Sequence, residues 1–213
     1  MFNFLAQGFL GFIFWLNNFF QDFGLTIIFF TLILKIALSP IEFLAFLEEE
    51  KMKRLRPKIN EVLKKYKNDF QKQTEVLTQL YKEENYNPIF AILIQFLPLP
   101  IFFSIFFALN LLLKTPNLDL FFLGNINLSQ RNVFLVLAII LLQALSLKNL
   151  PKEQRNFSLI LFGLIILVLF QFPALFSLYW LTNIILTLLE KQFFPKFNQL
   201  LINKISAKGD PRQ

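Results

Sequence analysis

Lys35 stands inside the run TIIFFTLILKIALSP, Thr26 to Pro40, in which every other side chain is apolar or a small hydroxyl. A charge at the middle of such a run costs about 2.5 to 3.5 kcal/mol on insertion scales, so it either snorkels to an interface or faces a wet cavity. Lys35 lies eleven residues after Gly24, roughly 16 Å along a helix, and five before Pro40, so snorkelling toward one surface is open to it. Gln95, Gln143, Ser146, Tyr179, Thr182 and Asn183 sit in other apolar stretches. Amides and hydroxyls gathered around one cation would form a hydrated, half-open groove. That is chemistry of attraction, with no bond made or broken. The chain has no Cys and no His, which excludes disulfides, thiol nucleophiles, thiolate or imidazole metal sites and the commonest general base. No catalytic residue, metal or cofactor is expected.

The elements that must position these side chains follow from composition. Of 213 residues, 55% are hydrophobic, 30 are Phe, and only 16% are charged, with a mean hydropathy of +0.55. These values define a membrane protein, and the predicted fold is all-α. Apolar runs predict five transmembrane helices, over 23–42, 88–113, 131–148, 156–172 and 173–190. The shorter runs fall near the lower limit of about 17 residues for a span, so flanking Leu, Asn and Gln must help or the bilayer must thin. Segment 1–22 places Asn3, Gln7, Asn18 and Gln21 on one side of a helix, which predicts an amphipathic helix lying at the interface. A sixth span or an uncleaved signal peptide is the alternative there.

Charge sets the orientation. Ten Lys and Arg lie between Phe43 and Asn87, one in the loop 114–130, three in the link from Lys148 to Arg155, and five from Lys191 onward. The positive-inside rule places the N-terminus and loop 114–130 outside, and segments 43–87, 149–155 and the basic tail 191–213 in the cytoplasm. Segment 43–87 carries Met52, Leu55, Ile59, Val62, Leu63 and Tyr66, then Val76, Leu77, Leu80 and Tyr81, at helical spacing on either side of Lys67-Asn68-Asp69. Two helices with one narrow apolar seam each predict a hairpin, with Pro57 kinking the first arm. Eight acidic residues dilute its basic ones, so it reads as a docking arm and not as a polycation, with a solvated charged loop as the plainer alternative. Lys53, Arg54 and Arg56 on the arm and Lys196, Lys204 and Lys208 in the tail are the candidate contacts to a ribosome or another partner. The tail's five cations face only Glu190 and Asp210, a bias that suits ribosomal RNA or anionic lipid.

The order of these pieces resembles the YidC/Oxa/Alb family of membrane protein insertases. Gly24, Thr31, Lys35 and Pro40 match the family's spacing through its first span, and LRPKINEVLKKYKND, LYKEENYNP, the tripeptide Pro100 to Phe102 and FPALFSLYWLTN, Phe172 to Asn183, look like the family's own phrases. Two departures stand out. Lys35 occupies a position where the family usually carries Arg, exchanging a planar fork for a compact ammonium. Pro98 occupies the place of a usual Gln, and Gln95 lies one turn earlier.

The resemblance implies a groove open to cytosol and lipid, lined by Lys35, Thr31, Gln95, Gln143, Ser146, Tyr179, Thr182 and Asn183. Nascent membrane proteins would thread polar segments through it, with the ribosome, the Sec translocon and lipids as further partners and a bacterial plasma (inner) membrane as the location. The lack of an organelle transit peptide and of a large outer domain points to the same membrane. A small anion transporter or channel subunit, with Lys35 setting selectivity, is the alternative, although no internal repeat supports it. A scaffold that holds partners at the membrane is a third reading.

Overall fold

The computed structural model describes residues 2–147 and 152–208. It contains helices α1 (Phe2–Phe20), α2 (Phe23–Lys65), α3 (Phe70–Glu83), α4 (Pro88–Phe96), α5 (Pro98–Lys114), α6 (Val133–Leu147), α7 (Lys152–Leu169) and α8 (Ala174–Lys208), with strands β1 (Phe121–Phe122) and β2 (Ile126–Asn127) between α5 and α6. Two compact units result: Met1–Ala37 with Ile101–Gln213, and Leu38–Pro100.

In the first unit α1 turns directly into α2. Gln21 adopts the left-handed conformation at φ 51° that ends α1, and Asp22 then caps α2 by accepting from Leu25 N–H at 2.8 Å. Thr26 ties the corner by donating to Asn17 Oδ1 at 3.0 Å and to the Asp22 carbonyl at 2.8 Å. Ala6, Ile13 and Leu16 form the buried stripe of α1, while Asn3, Gln7, Gly11 and Asn18 lie on its exposed face beside Trp15. The polar residues of the expected stripe are exposed, and so are Phe4, Trp15 and Phe19 of the same helix.

A main core joins Ile13 and Leu16 of α1, Phe23, Ile27 and Phe30 of α2, Ile105, Leu109 and Leu112 of α5, and Leu175, Leu178 and Tyr179 of α8. A second core packs Val136 and Ile139 of α6 and Phe162 and Leu169 of α7 against Ile184, with Trp180, Leu181 and Leu188 of α8 alongside. Helix α8 therefore serves both cores with different faces. Leu137, Leu141 and Leu145 of α6 and Ile160, Leu167 and Val168 of α7 are exposed, an apolar outer surface that water would not tolerate and lipid does.

The loop read as a plain connection is a docked β-hairpin. Phe121 pairs with Asn127 and Phe122 with Ile126 across a tight turn at Leu123 and Gly124, whose φ angles are 50° and 68°. Asp22 Oδ2 accepts from Leu123 N–H at 2.6 Å and holds that unusual leucine conformation. The carbonyls of Gln130 and Leu128 accept from Ala174 and Leu175 N–H at 2.6 and 3.0 Å, so the loop also satisfies the first turn of α8.

Helix α2 runs 43 residues through both Pro40 and Pro57. In the second unit, Asp69 caps α3 by accepting from Lys72 N–H at 3.0 Å, which explains the break at Lys67-Asn68-Asp69. Three links of widening separation follow: Gln73 to the Leu63 carbonyl, Lys58 to Glu84, and Leu55 in one cluster with Tyr86 and Ala91. Helix α3 thus returns antiparallel beside α2. Burial pushes the Tyr86 phenol above its ordinary pKa, helped by the Glu48 carboxylate. No residue of α3 is buried, so its amides are expected to exchange faster than those of Ile105 to Leu112 in hydrogen-exchange mass spectrometry. Equal protection would make the arm a fixed part of the bundle.

Asn87 caps α4 by accepting from Ile89 and Phe90 N–H at 3.0 and 3.1 Å, with Pro88 at the first helical position. The expected single helix over 88–113 is interrupted at Leu97, because Pro98 has no N–H to continue the bond pattern.

Candidate functional site

Lys35 is buried in the first unit and its Nζ meets Glu190 Oε2 of α8 at 2.7 Å. The side chains retain 10% and 18% of their exposure, so the pair is largely withdrawn from solvent and links two helices 155 residues apart in sequence. Removing one member of a fully buried pair of this kind costs about 3 to 5 kcal/mol. Glu190 escaped the sequence reading because it was counted with the charges of the tail. One signal was present: it is the first acid after a long apolar run, seven residues or two helical turns past Asn183.

Thr31 lies one turn before Lys35, is buried, and donates its hydroxyl to the Ile27 carbonyl at 2.7 Å. Thr182 does the same toward the Leu178 carbonyl at 2.8 Å. Both protons are committed within their own helices, which is how hydroxyls survive in apolar surroundings. Tyr179 is buried in the main core and Asn183 is half-buried on the same helix. Gln143 is half-buried on α6, a helix that packs against α8. Ser146 lies in the last turn of α6 but its side chain falls outside the described residues. Gln95 is exposed and belongs to the other unit.

Of the candidate partner contacts, Lys53 is exposed and bridges Glu49 at 3.1 Å and Glu50 at 2.9 Å. Arg54 is exposed beside it, Arg56 is half-buried, and Lys196 is exposed on α8. Lys204 and Lys208 lie on α8 with side chains outside the described residues. Among the described residues no group of His, Cys, Asp and Glu is arranged to hold a metal.

These features define a helical membrane protein with an ion pair inside its bundle. Two helical stretches, Phe23–Lys65 and Pro88–Lys114, are long and apolar enough to cross a membrane, with only 22% of the most apolar window of each buried, and Val133–Leu145 is a shorter apolar helix. Residues 15–200 match the sequence model of the family described as 60Kd inner membrane protein. The chain belongs to that family, the YidC/Oxa/Alb group its motifs resemble. It is 30% identical to a Membrane protein insertase YidC of Helicobacter pylori over 95% of this chain and 37% of that protein. Proteins of the same description from Campylobacter jejuni and Geobacter metallireducens are 29% and 27% identical, over 97% and 83% of this chain and 39% and 34% of theirs. The chain thus spans somewhat over a third of the length of these relatives.

Proposed function

We propose that this chain is a membrane protein insertase of a bacterial inner membrane, with five spans, its N-terminus outside and its basic tail in the cytoplasm. The observation that carries the reading is a buried lysine in an apolar helix, paired but not removed, at the position its family uses for a cation. A polar or acidic segment of a nascent protein enters from the cytoplasm and is drawn by Lys35. Gln143, Asn183 and the oxygens of Thr31, Tyr179 and Thr182 offset part of the cost of placing its polar groups in hydrocarbon. The apolar helix of the substrate leaves sideways into lipid. Lys35 acts by charge and position, without covalent chemistry.

A photocrosslinker at Gln143 tests this during synthesis of a single-span substrate. Adducts to the substrate's polar segment are expected before its release into lipid. Adducts to lipid alone at every stage would remove Gln143 from the path and leave the groove without its α6 wall.

The arm and tail dock ribosomes in this account, through Lys53, Arg54 and Arg56 and through Lys196, Lys204 and Lys208, with the Sec translocon as a further partner. Truncation after Phe194 is expected to weaken ribosome co-sedimentation most at low salt, and less as salt rises and screens the tail's charges. Unchanged binding at low salt would reduce the tail to a topological signal.

A further inference from the structure

We propose that Glu190 is a resident counter-anion for Lys35, displaced by the acidic segment of a substrate, and that it sets how strongly insertion depends on substrate charge. The proposal rests on the insertase reading and adds a residue and a selectivity to it. The geometry has three parts. Glu190 Oε2 already occupies, at 2.7 Å, the ammonium that the substrate's carboxylate would approach. The anion is the more accessible member, at 18% against 10%, and its neighbours Leu189, Lys191 and Gln192 on α8 are exposed, so it has the shorter way to solvent. Lys35 itself is buried, one helical turn after the buried Thr31 on α2.

Exchange of one carboxylate for another on Lys35 leaves the number of buried charges unchanged. An incoming acid therefore avoids the full cost of burying a new charge but must outcompete Glu190. Only the fraction of chains with Glu190 displaced is open to it, which lowers the apparent affinity for acidic segments in proportion to that fraction. Neutral segments make no such exchange. Glu190 is a specificity-determining residue here, distinct from a mere clip between α2 and α8, and the two roles predict different patterns. Loss of a clip lowers insertion of every substrate alike. Loss of a competitor changes the ranking.

The test is pulse-labelled insertion in an insertase-depleted strain, using one single-span substrate whose translocated segment carries no, two or four Asp residues. Protein levels are matched by blotting. Glu190→Gln is expected to raise insertion of the four-Asp substrate about threefold or more relative to the Asp-free one, compared with the parent chain. The double variant Lys35→Gln/Glu190→Gln is expected to treat the three substrates alike. Should the Gln variant accumulate poorly, Glu190→Asp, one methylene shorter and a looser partner, is expected to give a smaller rise in the same direction. Parent-like ratios in Glu190→Gln, or an equal fall for all three substrates, would overturn the proposal while leaving the insertase reading intact. Failure of the parent chain to insert any of the three would instead overturn that reading, and this proposal with it.

Discussion

Lys35→Glu is expected to abolish growth in an insertase-depleted strain, with substrates carrying acidic outer segments lost first. The variant does two things. It removes the attraction for an incoming carboxylate, and it sets two carboxylates face to face where Lys35 and Glu190 now lie 2.7 Å apart. At an effective dielectric of about 20, unit charges 4 Å apart interact by about 4 kcal/mol, so reversing the sign changes occupancy by a hundredfold or more. Lys35→Arg keeps the charge and is expected to insert normally, with a difference under roughly 1 kcal/mol in a wet groove. Lys35→Ala leaves the Glu190 carboxylate without this partner, so it is expected to reject acidic substrates chiefly, and Glu190→Gln in the same chain is expected to relieve part of that defect. The charge exchange Lys35→Glu/Glu190→Lys is expected to restore protein level, which separates a folding defect from lost attraction. Complementation with levels checked by blotting reads all of these. Full activity of Lys35→Glu on an acidic substrate would leave hydration or membrane thinning as the cause.

Gly24→Leu is the second large effect expected, and it acts far from charge. A Cβ at Gly24 would overlap Cδ2, Cβ and Cγ of Phe122. The Phe122 Cβ is fixed to the backbone of β1, so the hairpin must move and not merely the ring. Overpacking of this kind costs about 1 to 3 kcal/mol, and for a chain of this size each kcal/mol lowers Tm by roughly 2 to 4 °C. A thermal melt in detergent is expected to show that loss. Gly8→Ala is the control, since its Cβ would meet nothing within 4 Å and a helical Gly→Ala change is neutral or mildly stabilising. Equal Tm for Gly24→Leu and the parent would show that β1 docks on α2 without depending on that close approach.

The residues that could be read from sequence were those whose meaning is local. Asp69 and Asn87 cap the helices that follow them because a short polar side chain can reach the next turn's N–H groups, and the sequence shows both at the edges of periodic runs. The buried Lys35 was legible because an unsolvated charge is costly wherever the chain folds. What was not legible depended on distance or on compensation. The Glu190 partner lies 155 residues away, and no local rule links the two. The hairpin at Phe121 to Asn127 has only two residues in each strand, and Leu123 takes a left-handed conformation that its type disfavours, held by Asp22 a hundred and one positions earlier. Helix α2 continues past both Pro40 and Pro57, because one lost backbone bond each is outweighed by the bonds on either side. The commitment of the Thr31 and Thr182 hydroxyls to their own helices was invisible for the same reason: it is a choice between partners that only the folded chain offers.

Reconstitution into liposomes with no other protein tests the central claim most directly. A single-span substrate synthesised in their presence is expected to acquire a protease-protected polar segment, with protection falling in Lys35→Glu and with no passage of small anions. Anion flux without protection of the substrate would contradict the account and make this chain a transporter whose cation sits at Lys35.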